Sequence, residues 1–142
     1  MASPERRALL EARLATLDEV VAAAPPTRSF AVDYHHRSPV FWADPEYDAT
    51  ALLAGLENGP AFDRLVGTLP HRAAARARLE RITAPILLVL GRLDFAIAYT
   101  AWEELIEGLD GIDYVLMEED SHNPQTESPD RFDPILTGWL QG

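Results

Sequence analysis

The sequence predicts an α/β protein in two parts: a region of helices and loops over residues 1–82 and a β-α-β-α unit of a parallel sheet over residues 83–142. Three observations carry this. Ile86-Leu87-Leu88-Val89-Leu90 is a continuous apolar run, the pattern of a strand covered on both faces. A second apolar run, Ile112 to Met117, follows after one helical stretch over 98–108, in which Trp102, Leu105 and Ile106 share a side. Strand, helix, strand is the crossover unit whose strands run parallel and whose hand is almost always right.

The remaining elements follow in order. Ser3 is placed to cap a first helix, with Pro4 at its first position. Leu10, Leu14, Leu17 and Val21 then form one apolar helical stripe, which Pro25-Pro26 ends. Residues 27–47 read as irregular but carry Phe30, Tyr34, Phe41, Trp42 and Tyr47. Aromatics at that density pack against something, because bare rings gain nothing in water. Short helices are expected near 49–57, 60–67 and 71–81. The last carries Arg72, Arg76 and Arg81 and reads as solvent-facing. After the second strand, Pro129 opens a final helix through Phe132, Ile135, Leu136, Trp139 and Leu140.

At 142 residues and 47% hydrophobic content the chain is long and apolar enough to build a core, unlike a disordered tail. No apolar run approaches the roughly 20 residues that span a bilayer, and the amino terminus lacks the pattern of a secretory signal, so no membrane partner is expected. The absence of cysteine excludes disulfides, a thiol nucleophile and a cysteine-ligated metal, and it points to a cytoplasmic location. A net charge of −11 argues against nucleic acid, which requires a basic surface. No Lys or Arg lies between Arg92 and Arg131 while Asp and Glu recur there, which reads as a solvated acidic face. Every basic side chain apart from histidine is Arg, so a lysine nucleophile or Schiff base is excluded.

The candidate catalytic residues are Asp94 and His122. Sites in open parallel sheets gather at the carboxyl ends of the strands, and these two residues lie just beyond Leu90 and Met117. Paired strands are about 4.8 Å apart, so short loops leaving one edge can bring a carboxylate to an imidazole. The carboxylate then fixes the histidine tautomer and stabilises the imidazolium. Alone, Asp94 reads as a turn or helix-cap residue and His122 as an ordinary loop histidine. Together, at matching strand ends, they make two thirds of a nucleophilic triad. His35, His36 and His71 have no comparable partner and read as loop or surface residues. No spacing matches a metal-ligand set, so neither a metal nor another cofactor is expected.

The stretch Ala84-Pro85-Ile86-Leu87-Leu88-Val89-Leu90-Gly91-Arg92-Leu93-Asp94 resembles the strand and acid loop of the α/β-hydrolase fold. Ser121-His122-Asn123-Pro124, continuing to Phe132, resembles that fold's histidine loop and last helix, with Ser121 where the family most often has Gly. The segment from Ser38 to Thr50 is similar to part of the helical cap in the proline iminopeptidase branch. Tyr99-Thr100-Ala101-Trp102-Glu103-Glu104-Leu105 and the His-x-Pro-Gln at His122 are similar to that branch as well. The resemblance implies Asp94 as the triad acid and His122 as the general base. It also implies specificity residues in the cap, such as Phe41, Trp42 and Tyr47.

Family members place the serine in a Gly-x-Ser-x-Gly elbow before the cap. None of Ser3, Ser29, Ser38, Ser121 and Ser128 has that framing, and the His-Gly-Gly type oxyanion loop is absent. The chain therefore reads as beginning inside the cap and holding the last two strands. Two functions are expected from this. The first is the carboxyl-terminal part of an aminopeptidase- or esterase-like serine hydrolase, acting on a small-molecule or peptide substrate only once the missing half is supplied. The second is a non-catalytic binding or assembly module. A two-stranded pair also leaves an edge and apolar faces uncovered, so marginal stability, self-association or a partner chain completing the sheet is expected.

Overall fold

The computed structural model describes residues 2–68 and 72–142, and His71 lies outside them. The chain forms two compact units, Met1–Leu69 and Pro70–Gly142.

The first unit is helical. Helix α1 (Pro4–Leu14) starts as expected, with Ser3 Oγ accepting the Arg6 amide at 3.2 Å. The stripe expected to continue to Val21 is interrupted, and α2 (Leu17–Ala23) is a separate helix. The cause is local. The Thr16 hydroxyl and amide both donate to the Arg13 carbonyl at 3.3 Å, a tightened turn that ends the helical ladder. After the break Leu17 is buried, whereas Leu14 stays exposed.

Residues 27–47, expected to be irregular, hold a 3₁₀ turn at Pro26–Arg28 and two helices, α3 (Ser29–His36) and α4 (Ser38–Phe41). Tertiary packing overrides the weak helix propensity of the aromatics. Trp42, 1% exposed, sits in a core with Ala31, Ala49 and Leu53, and Tyr34, Phe41 and Tyr47 pack around it. The Tyr34 and Phe41 rings stack with centroids 4.2 Å apart. The helix expected near 49–57 shrinks to α5 (Thr50–Leu53), while α6 (Pro60–Gly67) has its expected span.

Two arginines tie down the ends of the short helices. Arg6 donates to the carbonyls of Pro39 and Trp42 at 2.8 Å each and of Ala43 at 2.6 Å. Arg28 donates to Leu53 at 2.8 Å, to Ala54 at 3.0 Å and to Leu56. Carbonyls at a helix carboxyl end have no intrahelical donor, and a cation suits them. Arg6→Ala removes three such bonds and is expected to destabilise the first unit by about 2 kcal/mol, read as a lowered midpoint in urea. Arg6→Lys should recover only part of this, because an ammonium cannot reproduce the fork.

The second unit contains α7 (Arg72–Leu79), β1 (Ile86–Gly91), α8 (Tyr99–Ile106), β2 (Ile112–Met117), α9 (Pro124–Glu127) and α10 (Pro129–Gln141). Strands β1 and β2 pair in parallel, from Ile86 opposite Ile112 to Gly91 opposite Met117. The α/β class expected from the two apolar runs is therefore present. Helix α7 is not simply solvent-facing. Arg76 donates to the carbonyls of Leu105 at 2.7 Å and Glu107 at 3.0 Å, closing the end of α8, while Arg81 stays exposed. Helix α10 is pinned to β2 by the Trp139 indole, which donates to Asp113 at 2.7 Å.

Ile86 to Leu90 has the apolar pattern of a strand covered on both faces, and each of these residues is only half-buried, as expected of a two-stranded pair that leaves its faces uncovered. The run has one neighbouring strand among the described residues, too little to cover it. No described helix is long and apolar enough to cross a membrane.

Candidate active site

Strands β1 and β2 end level with each other, because Gly91 pairs with Met117. The loops that leave them nearly touch. A Cβ on Gly91 would lie 2.1 Å from the Ser121 carbonyl oxygen and 2.4 Å from that of Asp120, so only glycine fits. The Arg92 amide donates to Met117 and the Leu93 amide to Asp120, both at 2.9 Å, carrying the pairing past the strands.

This stitching brings the two sequence-predicted residues together. Asp94 Oδ2 lies 2.7 Å from His122 Nδ1. Asp94 Oδ1 accepts the amides of Ala96 and Ile97 at 2.9 Å each. The loop-turning role and the histidine contact thus fall to different oxygens of one carboxylate. Asp94 is 7% exposed, so its orientation is held from all sides. An ionised carboxylate only accepts, so Nδ1 carries the proton and Nε2 is the basic nitrogen. The hydrogen bond to Asp94 raises the His122 pKa above its ordinary 6.5; burial opposes this, and the charges of Asp94 and Glu127 add to it.

The histidine loop has a polar support that sequence reasoning missed. Glu118, Glu119 and Asp120 belonged to a stretch read as a solvated acidic face. Glu118 and Glu119 are exposed but paired, with Arg92 and Arg131 respectively. Asp120 is 1% exposed and accepts from Ser128 Oγ and, at 2.9 Å, from Arg131. The signal that pointed here was the isolation of Arg92 and Arg131 at the two ends of a stretch otherwise free of Lys and Arg. Ser121 is buried without strain, since no described residue other than glycine has a positive φ.

Each of the five serine oxygens has a partner of its own. Ser3 accepts from Arg6, while Ser29 donates to Pro26 and Ser38 to His35. Ser121 donates to Leu93 and Ser128 to Asp120. His35 and His36 lie at the end of α3 in the first unit. There His35 Nδ1 is 3.9 Å from Asp48, and His36 Nε2 is 3.2 Å from Thr16 Oγ1. Among the described residues no group of three or more His, Asp or Glu is placed to hold a metal. Trp42, expected to shape a pocket, is a core residue of its unit, with Phe41 and Tyr47 packed against it.

No protein-family model matches the chain, and no solved structure is a significant match. The chain is 26% identical over 140 residues to an AB hydrolase superfamily protein, YclE, of Bacillus subtilis strain 168. The alignment takes in 98% of this chain and 50% of that protein, so the chain spans half the length of its relative. A helical segment followed by a parallel β-α-β-α unit is a partial version of the α/β fold, and the similarity supports a relation of this chain to the α/β-hydrolases.

Proposed function

We propose that the chain is the carboxyl-terminal part of a serine hydrolase, carrying the triad acid Asp94 and base His122, with the nucleophile supplied by sequence outside it. The observation that carries this reading is the 2.7 Å bond from His122 Nδ1 to a buried carboxylate at the carboxyl end of a parallel strand pair. In the reaction, Nε2 takes the proton of the incoming serine hydroxyl as its oxygen attacks the acyl carbon, then returns it to the leaving group. A water repeats the cycle and frees the acid. The substrate class is a peptide or ester, and the likeness of the His-x-Pro-Gln segment to proline iminopeptidases favours an aminopeptidase.

Two further observations support a supplied nucleophile. The chain's own serine oxygens are engaged elsewhere. A groove of about 500 Å³ opens along β1, lined by Leu87, Val89, Phe132, Leu136 and Trp139, with His122 on its wall. We read it as the seat of the polypeptide that completes the sheet, because Leu87, Leu88 and Val89 of β1 line it and β1 has no second neighbouring strand among the described residues. The engaged serines also favour a second reading, a non-catalytic binding or assembly module derived from such an enzyme.

Fluorophosphonate labelling read by intact mass separates the two. The 142-residue chain alone is expected to take no label. A soluble fusion of this chain to the half of the Bacillus relative that it does not match should take one label, lost in His122→Ala. An adduct on the chain alone would refute an outside nucleophile. A folded fusion that stays unlabelled would favour the non-catalytic module.

A further inference from the structure

The loops bearing Asp94 and His122 are joined by one buried side chain. Ser121 is fully buried and directly precedes His122. Its hydroxyl donates to the carbonyl of Leu93, the residue before Asp94, at 2.8 Å. Its amide donates to Glu127 Oε2 at 2.7 Å, and Glu127 ends the short helix α9 that follows His122. The Leu93 amide in turn donates to the Asp120 carbonyl at 2.9 Å. Residues 93 and 120–121 therefore exchange two bonds across the loops, one made by backbone alone and one by the Ser121 hydroxyl. A glycine at 121 would keep the first and lose the second.

We propose that Ser121 is a positioning residue: its bond to Leu93 fixes the approach of His122 to Asp94, with Glu127 anchoring the Ser121 amide. The proposal rests on reading Asp94 and His122 as the working pair. Its leverage comes from geometry. The two loops meet at main-chain atoms, so loosening one shifts the carboxylate relative to the ring, and misplacement by about 1 Å can cost on the order of a hundredfold in rate. The charged groups bearing on the ring are Asp94 and Glu127, and Ser121 touches the backbone next to the first and the carboxylate of the second.

The test is a titration of the His122 ring protons by NMR in the 142-residue chain, which needs no nucleophile. Asp94→Asn sets the position of a ring that has lost its carboxylate partner. Ser121→Ala and Ser121→Gly are expected to keep the far-UV circular dichroism of the chain. Both should shift the His122 titration downward, part of the way to the Asp94→Asn position. An unchanged titration in either folded variant overturns the proposal. Loss of the fold in both overturns it too, because Ser121 would then be a structural residue rather than a positioning one. Failure of the hydrolase reading would appear in the labelling experiment and leave this titration as it stands.

Discussion

On the proposed hydrolase reading, Asp94→Asn in the fusion that supplies the missing half is expected to lower kcat by about 10⁴-fold with little change in KM. A carboxylate can only accept, so it holds the proton on His122 Nδ1 and keeps Nε2 basic. An amide both donates and accepts, which permits the ring to turn to the wrong tautomer. The substitution also removes the main cause of the raised His122 pKa, the hydrogen bond to Asp94. The base form of the native histidine therefore appears only as pH climbs above 6.5, and kcat/KM should rise with pH there. In Asp94→Asn the residual activity should rise at lower pH. Linkage gives the sign for stability: a histidine whose folded pKa is raised contributes fully below its unfolded value, and the contribution is lost as pH rises through the folded one. A fall in kcat of less than about tenfold would remove Asp94 from the triad.

Gly91→Ala is expected to have the largest effect on stability. The added Cβ would meet the Ser121 carbonyl oxygen at 2.1 Å and the Asp120 carbonyl oxygen and carbon at 2.4 and 2.5 Å. All are main-chain atoms, so no rotamer change makes room. The histidine loop must lift, breaking the Leu93-to-Asp120 and Arg92-to-Met117 bonds that join it to β1. Overpacking of this kind costs about 3 kcal/mol or more, a large part of the roughly 5–15 kcal/mol that holds a domain together. A second unit whose strand β1 is only half-buried has little to spare. Hydrogen exchange should show protection of β1 and β2 amides collapsing in Gly91→Ala. Gly138→Ala, where nothing lies within 4 Å of the new methyl, should leave protection intact or improve it. Equal protection in the two variants would contradict the close approach.

The two strands and the pair beyond them were legible because apolar runs report burial directly, and a parallel register carries matching strand ends to matching loops. Other features depended on single contacts that no periodicity records. One Thr16 hydroxyl divides what reads as one apolar stripe into α1 and α2. Helices α3 and α4 exist because Trp42 and its aromatic neighbours pack, against the weak helix preference of those residue types. Asp120 looked like its exposed neighbours Glu118 and Glu119 until Ser128 and Arg131 were found around it. The half-burial of Ile86 to Leu90 was legible only from the number of strands, not from the run itself. An apolar run states what a strand requires of its surroundings, and the surroundings lie elsewhere in the chain or beyond it.

The two arginines that bound the stretch without Lys or Arg both turn back onto the acidic run just before His122, Arg92 to Glu118 and Arg131 to Glu119 and Asp120. Three negative charges adjacent to the base thus meet two positive ones at contact distance. The run therefore keeps one uncompensated negative charge of its three. In a chain of net charge −11, the segment leading into the histidine loop is thus locally close to balance, and what raises the His122 pKa is its hydrogen bond to Asp94 with the charges of Asp94 and Glu127.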